Sequence, residues 1–425
     1  MLIFIENTPR AYAWGSRDAL PALLGTAPTG EPQAELWLGD HPGAPASIAK
    51  ASPTSQTLPE LIESDPERYG VDGGNLPFLL KVLGIGAPLS LQVHPNKQQA
   101  LDGFAREQAA GVPLDARERN YGDDNHKPEL LVALSEVSAL CGFRALGEAR
   151  TDLVALAAAA PAGKGRDALL WVAECCAPGV GGDAAEARSS YLNWVLGGGD
   201  AVVAGVRAIE AALTGSGDAG PTISAERKCS LLRLLATHPD DPGVLISLLL
   251  HLVTLQPGEA IYLAARQLHA YLDGIAVEVM AASDNVLRAG FTEKHIDVAE
   301  VLRVVDFAEL ETPRIEAAQL APGLVAWAPE VPEFALLRAR LGEPEGEAVY
   351  EGVCAERVVV GVPYPTVLVA TAGRVRVERV GAELSEVASV GRGQSLYVSA
   401  GEDIELTGVA DVFLATVGAG WPRVS

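Results

Sequence analysis

Paired cysteines, long apolar runs and positive charge are all scarce in this sequence, and each shortage excludes a class of protein. The five cysteines are Cys141, Cys175, Cys176, Cys229 and Cys354. No two of them have CxxC spacing, which argues against a disulfide framework or a thiolate zinc site. The longest apolar run, Val244 to Leu255, has 12 residues with polar interruptions, whereas a membrane-spanning helix needs about 20. Because the first residues also lack the pattern of a signal peptide, we expect a cytoplasmic protein with no membrane partner.

Positive charge is outnumbered throughout the chain. Lys and Arg total 32 against 55 Asp and Glu, which gives a formal net charge of −23 at pH 7. A surface of this sign repels nucleic acid and anionic membranes, so we expect neither as a partner. An anionic ligand therefore has to be bound by a local cluster of cations. The composition is otherwise that of a folded protein, with 48% hydrophobic residues.

Three stretches of different composition follow one another along the 425 residues. Short apolar segments separated by Pro, Gly, Asn and Asp indicate strands in the first stretch, and strand-like runs return after the middle of the chain. Between them, an Ala- and Leu-rich stretch with helical spacing indicates four or five helices. We predict a mainly β protein with a helical insertion. The predicted domains are a split β-barrel domain (1–144 and 249–300), a helical domain (145–248) and a C-terminal β-barrel domain (301–425).

A first group of candidate ligands lies in the segment SLQVHPNK. In an extended strand side chains alternate, so Gln92 and His94 project from one face while Leu91 and Val93 pack on the other. An amide oxygen and an imidazole on one face can bind a cation together. The alternative is an ordinary strand histidine at the surface or satisfied by a neighbour.

A second group lies in YGDDNHKPE. Pro128 keeps the preceding residue out of helical geometry, which places Lys127 and Glu129 on the same side of an extended segment. The simpler interpretation is a surface ion pair worth under about 1 kcal/mol. So many titratable residues in an apolar neighbourhood are costly to bury without a shared ligand.

A third group spans His269 to Lys294. Glu278 alternates with Val277 and Val279 in a predicted strand, while Arg288 and Lys294 supply the local positive charge that the chain otherwise lacks. The alternative makes Asp284 and its neighbour turn formers and leaves the two cations solvated.

Together these motifs resemble those of type I mannose-6-phosphate isomerases. The matching segments are YGDDNHKPE, HAYLDGIAVEVMAASDNVLRAGFTEK, AWGS, AELWLGDHPGAPA, LPFLLKVL and LSLQVHPNK. The resemblance runs in order over almost the whole chain. It implies a zinc-dependent aldose-ketose isomerase that interconverts D-mannose 6-phosphate and D-fructose 6-phosphate. It also implies cupin-type jelly-roll barrels, two barrel units with a helical insertion.

The resemblance also implies roles for individual residues. One zinc ion per chain would be bound by Gln92, His94, Glu129 and His269, a set that suits Zn²⁺. Arg288 would stabilise negative charge during the reaction, and either Lys127 or Glu278 would carry the proton. The residues implied to contact the substrate are Lys81, Ser90, Lys294 and Asp284. His126 is expected to point away from Glu129 and to support the site or the fold.

Two departures from the family pattern stand out. LAARQL precedes His269 where a Pro/Gly-rich turn is common, and Glu293 stands where proline is usual. The first puts the backbone leading to His269 in question, and the second places a negative charge beside Lys294. Neither removes an implied ligand.

Two other functions fit parts of the pattern. A barrel that binds sugar phosphates as a regulator without turnover would not require the ligands and catalytic charges, yet these are present. An iron-dependent oxygenase would use two histidines and one carboxylate, whereas Gln92 and the cations favour isomerisation. We expect a monomer whose partner is a small phosphosugar.

Overall fold

The structure is a computed structural model, and it describes residues 1–49, 56–177, 183–215, 220–311, 313–342, 353–381 and 386–421. Nineteen strands form two antiparallel sheets within these residues, and eleven helices accompany them. This agrees with the predicted mainly β chain carrying helices. None of the described helices has the length and apolarity that crossing a bilayer requires.

The strands have the following bounds. The first eleven are β1 (Leu2–Glu6), β2 (Glu35–Leu38), β3 (Ser47–Ile48), β4 (Phe78–Ile85), β5 (Leu91–Val93), β6 (Glu129–Ala133), β7 (Val137–Phe143), β8 (Leu250–Leu255), β9 (Ala260–Leu263), β10 (His269–Ala281) and β11 (Leu287–Gly290). The others are β12 (Ala318–Ala321), β13 (Leu324–Trp327), β14 (Ala335–Leu341), β15 (Arg357–Val360), β16 (Thr366–Arg379), β17 (Val387–Gly391), β18 (Ser395–Val398) and β19 (Ile404–Thr416).

The helices fall into three groups. Those near the N-terminus are α1 (Ala19–Leu24), α2 (Leu58–Ser64), α3 (Pro66–Tyr69) and α4 (Lys97–Ala109). Those between β7 and β8 are α5 (Leu146–Ala159), α6 (Lys164–Cys175), α7 (Ala184–Gly197), α8 (Asp200–Thr214), α9 (Ala225–Thr237) and α10 (Gly243–Ser247). A last helix, α11 (Val298–Val304), follows β11.

The described helices between β7 and β8 number six, where the sequence predicted four or five. The additional one is α10, whose five residues are all buried. Because it is apolar on every side, it has no polar face and therefore no helical periodicity in its sequence. The apolar run from Val244 to Leu255 accordingly divides into α10 and strand β8.

The nine-stranded sheet is organised by β10. The first half of this strand pairs with β5 and β7, and the second half pairs with β4 and β6. The sequence predicted two separate strands here, HAYL and IAVEVMAAS. They form one strand that bends at a register shift between Tyr271 and Asp273, next to Gly274 at φ 105°. The bend allows one strand to serve two sets of neighbours.

The ten-stranded sheet is built mainly from the C-terminal part of the chain, with β16 and β19 as its long central pair. It also contains β1, which pairs with β18, and β3, which pairs with β1. The sequence assigned residues 1–144 to the first barrel domain, whereas β1 is hydrogen-bonded in the other sheet. The domain boundaries themselves stay a prediction.

Two of the hydrophobic cores determine where the site lies. One joins the faces of the two sheets, with Val277 and Leu80 from the first and Phe413 from the second. The other joins the helices to the back of β5, where Leu91 and Val93 are fully buried. Burying an aliphatic side chain of this size contributes roughly 1.5–3 kcal/mol. The strand that carries Gln92 is therefore held from behind by the helices.

The bend in β10 depends on glycine. A Cβ at Gly274 would lie 2.4 Å from the carbonyl oxygen of Glu136, and the φ of 105° is one that other residues rarely adopt. We expect Gly274→Ala to lower the free energy of unfolding by about 2–5 kcal/mol, because strain and overpacking add. Denaturant unfolding measures this. Gly147→Ala is the control, since nothing lies within 4 Å of its added Cβ, and an equal loss there would contradict the prediction.

Candidate functional site

Four side chains converge in the nine-stranded sheet beside β10, namely those of Gln92, His94, Glu129 and His269. His269 on β10 lies directly opposite Gln92 on β5, and Glu129 begins β6 on the other side of β10. His94 follows β5 by one residue, on the same face as Gln92 as alternation predicted. The ligand atoms of His94, Glu129 and His269 all lie within 4.8 Å of one another, which is compact enough for one metal ion. Residues far apart in sequence thus meet through strand register.

The two imidazoles are oriented by backbone carbonyls. Nδ1 of His94 lies 2.6 Å from the oxygen of Asn285, and Nδ1 of His269 lies 3.0 Å from the oxygen of Gln267. A carbonyl can only accept, so Nδ1 carries a proton in each ring, and Nε2 is the nitrogen that remains to bind a metal. In both histidines Nε2 faces Glu129, at 3.1 Å from His94 and 3.3 Å from His269.

Burial and neighbouring charge keep His94 and Glu129 in the protonation states that bind a metal. Burial, followed by the charge of Lys127, lowers the pKa of His94 to about 4. Burial opposes the charge of Glu129, but its neighbours, the charge of Lys127 foremost, outweigh burial and hold the pKa of that carboxyl well below its usual value. Imidazole nitrogens and a carboxylate are donors that zinc prefers.

The residues present fit a metal ion. Nε2 of His94 is buried and makes no hydrogen bond despite its proximity to Glu129, and an unsatisfied buried nitrogen is costly unless something else binds it. The amide of Gln92 lies 3.3 Å from Nε2 of His269. Rotating that amide presents its oxygen in place of its nitrogen. A cation among these groups would satisfy all of them at once.

Glu129 is held at both oxygens by its own neighbours. Nζ of Lys127 lies 3.2 Å from Oε1, and the hydroxyl of Tyr271 donates to Oε2 at 3.1 Å. The lysine and the glutamate are on the same side of the chain, as the sequence indicated. Their ion pair is buried, however, and so is not the surface pair of the simpler interpretation.

A cavity of about 480 Å³ opens beside this cluster. Nine of the eleven site residues implied by the resemblance line it, namely Lys81, Ser90, Gln92, Lys127, Glu129, Glu278, Asp284, Arg288 and Lys294. His94 and His269 are not in the lining and are 2% and 1% exposed. The cavity therefore reaches the cluster through Gln92 and Glu129, with the histidines behind them.

A row of buried side chains, two of them charged, crosses three neighbouring strands at the cavity wall. Trp37 on β2 is opposite Lys81 on β4, which is opposite Glu278 on β10. Nζ of Lys81 lies 3.5 Å from Glu278 and 3.6 Å from Glu35. Burial, followed by the charge of Glu129, raises the pKa of Glu278 to about 7, although Lys81 acts in the opposite direction. Glu278 is therefore poised to take up and release a proton near neutral pH.

Glu35 and Trp37 were not among the residues selected from the sequence. Both line the cavity, and Nζ of Lys81 lies 4.8 Å from the centre of the Trp37 ring. Their alternation in ELWL places both on one face of β2, and this was the available signal. That this face of β2 lines the cavity follows from its pairing with β4, and strand pairing is not visible in a single sequence.

The opposite end of the cavity is cationic. Arg288 on β11 is opposite Gln92, and burial lowers the pKa of its guanidinium. Arg288 and then burial lower the pKa of Lys294, which indicates two like charges close together. Within the described residues neither side chain forms an ion pair. In a chain with a net charge of −23, two unpaired cations at a cavity favour an anionic ligand.

Asp284 occupies the rim of the cavity. Its carboxylate lies 3.5 Å from Nε2 of His41 and is 58% exposed, while its backbone N–H donates to Asp123. His126 points elsewhere, with Nε2 at 2.7 Å from Glu333. It connects the ligand-bearing segment to the C-terminal part of the chain, which matches its expected supporting position.

The two departures from the family pattern are accommodated. Arg266, within LAARQL, adopts a left-handed φ of 74°, and its N–H donates to the carbonyl of His94 at 2.7 Å. The turn is therefore made without proline or glycine and still leads to His269. Glu293 is exposed, and its carbonyl accepts a hydrogen bond from Arg117.

Comparisons with known proteins agree with this geometry. Residues 2–146 match the family described as phosphomannose isomerase type I, catalytic domain. The mannose-6-phosphate isomerase of Escherichia coli (strain K12) is 41% identical over 309 residues, 71% of this chain and 74% of that protein. The Homo sapiens enzyme is 32% identical over 78% of this chain and 80% of its own.

Solved structures give the same result over nearly the full length. The apo form of mannose 6-phosphate isomerase from Salmonella typhimurium covers 98% of this chain and 99% of its own, with a TM-score of 0.82 and 31% identity. A zinc-bound mannose 6-phosphate isomerase covers the same shares, with a TM-score of 0.81 and 32% identity. The chain that brings His94, Glu129 and His269 together in this way belongs to the type I mannose-6-phosphate isomerase family.

Proposed function

We propose that this protein is a zinc-dependent isomerase that interconverts D-mannose 6-phosphate and D-fructose 6-phosphate through a cis-enediol. The observation that carries the proposal is the convergence of His94, Glu129 and His269, with an unsatisfied Nε2, behind a cavity that has a cationic end. Relatives with the same fold are named for this activity and one is zinc-bound. A cavity of about 480 Å³ is within the size range of small-molecule sites.

Gln92, His94, Glu129 and His269 are the proposed zinc ligands. Three of these are neutral and one is a carboxylate, so the site would retain a net positive charge. When bound, zinc supplies Lewis-acid stabilisation of the negative charge that develops on the sugar oxygens. Lys127 and Tyr271 keep Glu129 oriented by occupying its remaining lone pairs.

Glu278 is the proposed proton carrier. Its carboxylate lines the cavity, and burial raises its pKa to about 7. In the reaction Glu278 takes the proton from carbon 2 of the open-chain sugar and returns it to carbon 1, while the hydroxyl proton of oxygen 2 passes to oxygen 1. Lys127 was the other candidate from the sequence, but its Nζ is engaged by Glu129 at 3.2 Å.

The cationic end is the proposed position of the phosphate. Lys294 would bind it together with Ser90, while Arg288, the other cation of this end, lies opposite Gln92. Arg288 would stabilise charge on the enediol oxygens, because its half-buried guanidinium is partly shielded from water. Lys81 and Asp284, at the opposite wall and the rim, would contact sugar hydroxyls.

The finer structural predictions belong to the same proposal. We assign a cupin-type jelly roll to each sheet, supported by the antiparallel pairing throughout and by long strands bent at register shifts. We also propose the barrel and helical domains with the boundaries given above. The protein is proposed to be monomeric and cytoplasmic. The scarcity of positive charge outside the cavity supports the absence of nucleic-acid partners.

Metal removal tests the ligand set. A chelator should abolish isomerisation of mannose 6-phosphate in a coupled assay, and zinc should restore it. We expect His269→Ala to weaken zinc affinity by at least about a hundredfold, because a direct ligand is lost, as measured by metal analysis after dialysis. His251→Asn is the control, since that histidine bonds to the Leu310 carbonyl. Full activity in the chelated protein, or bound iron in place of zinc, would refute the proposal.

Arg288→Ala separates charge stabilisation from metal binding. We expect zinc content to stay at the wild-type value and turnover to fall by about a hundredfold or more, as on removal of one electrostatic stabiliser. Steady-state kinetics and metal analysis on the same preparation measure both. Turnover close to that of the wild type would remove Arg288 from the mechanism.

The pH dependence tests Glu278. A general base must be ionised to accept a proton, and burial raises the pKa of Glu278 to about 7. We therefore expect kcat/KM to rise with pH. Its inflection should lie at or below pH 7, because a cation bound nearby favours the ionised carboxylate and lowers its pKa. Glu278→Gln should lower kcat by at least about a hundredfold with zinc retained. If Glu278→Gln turns over normally and Lys127→Met does not, the base is Lys127.

A further inference from the structure

The cationic end of the cavity is assembled from two segments about fifty positions apart in the sequence. Thr237 and His238 reach it from the end of α9, in the helical insertion, while Phe291, Thr292 and Lys294 reach it from the turn after β11. The imidazole of His238 lies against the Phe291 ring, with 5.4 Å between ring centres. The helices therefore form one wall of the cavity as well as the back of the sheet.

One carboxylate joins these two segments. Oδ2 of Asp241 accepts a hydrogen bond from the backbone N–H of Phe291 at 2.9 Å, and Oδ1 accepts one from Gly243 at 2.7 Å. Phe291 has a φ of 53°, a left-handed conformation that phenylalanine rarely adopts. Hydrogen bonds to an ionised acceptor are about twice as strong as neutral ones. Asp241 therefore stabilises an otherwise unfavourable turn.

The two segments approach so closely at this junction that neither glycine has space for a side chain. A Cβ at Gly290 would lie 2.8 Å from Cα of Gly243, and a Cβ at Gly243 would lie 2.8 Å from Cε1 of Phe291. Both contacts are closer than side-chain atoms tolerate. The segment after β11 is therefore fitted against the helical insertion at van der Waals contact.

Strand pairing alone does not hold this segment. β11 has four residues, and β5 is its only strand neighbour in the described part of the chain. Pairing with Gln92 fixes Arg288, but the register shifts before Gly290 and ends there. Lys294 lies four residues beyond the last pair. Its position depends on what anchors the turn. Asp241 holds the start of the turn at Phe291, and Arg117 donates to the Glu293 carbonyl next to Lys294.

We propose that Asp241 is a positioning residue that fixes the turn from Phe291 to Lys294 and thereby tunes binding of the substrate phosphate. The inference rests on the proposed function, in which Lys294 binds that group. It gives the helical insertion a part in recognising the phosphorylated end of the sugar. Arg288 is held separately by β5, so the effect falls on binding more than on turnover.

Asp241→Asn tests this in the zinc-loaded enzyme. The asparagine amide has one acceptor oxygen, whereas the N–H groups of Phe291 and Gly243 need one acceptor each. The substitution therefore removes one of these two hydrogen bonds while the side chain keeps its shape. We expect KM for mannose 6-phosphate and the inhibition constant of inorganic phosphate to rise in parallel by about tenfold. kcat should stay within about twofold, with zinc content unchanged.

Asp240→Asn is the matched control. Asp240 is adjacent, exposed and bonded to Arg207 at the surface of the helices, and asparagine tolerates its left-handed φ. Its kinetic constants should equal those of the wild type. Wild-type constants in Asp241→Asn, an equal change in Asp240→Asn, or a fall in kcat alone would overturn the inference.

Failure of the proposed function would be recognised separately, as a zinc-loaded wild type that does not isomerise mannose 6-phosphate. In that case, calorimetry with inorganic phosphate tests whether Asp241 affects phosphate binding. Binding by the wild type that Asp241→Asn weakens supports the inference, and no binding by the wild type overturns it. Should the variant fail to fold, hydrogen exchange on the wild type replaces it. Phosphate should slow exchange at the Phe291 amide, and unchanged exchange there overturns the proposal.

Discussion

The pairing of β10 with strands on both of its sides is the constraint on which the site depends. Its first half brings His269 against Gln92, and its second half brings Glu278 against Lys81. The two sets of neighbours meet at the register shift between Tyr271 and Asp273, beside Gly274. One strand thus places both His269, a proposed metal ligand, and Glu278, the proposed proton carrier, and its geometry fixes their separation.

Charge is the second constraint, because these groups are buried. Lys81 and Lys127 face Glu35, Glu129 and Glu278 in the interior of the site, which gives 2 − 3 = −1 when every group is ionised. Removing such charges from water costs several kcal/mol per ion unless partners compensate. A divalent cation among the ligands would change the sum to +1. Burial, followed by the charge of Glu129, raises the pKa of Glu278 to about 7, so Glu278 is the carboxyl of this group that takes up a proton most readily.

The sequence was informative where chemistry depends on neighbours along the chain. Alternation correctly placed Gln92 and His94 on one face and brought Lys127 beside Glu129. It did not select Trp37, which enters through cross-strand register, or Asp241, which acts through a contact between segments. The same limit explains why β10 was predicted as two strands, since a bend within a strand and a turn between strands look alike in a single sequence.

Strand β1 carries a consequence for how the chain is made. Its residues, LIFIE (Leu2–Glu6), leave the ribosome long before those of their partner β18 (Ser395–Val398). At about 5–20 residues per second, the wait between the two is on the order of tens of seconds. During that interval β1 has only the two-residue strand β3 as a partner in its own sheet, and its other edge is open to pairing with other nascent chains. Correct assembly in the cell therefore depends on shielding β1 until β18 has been translated.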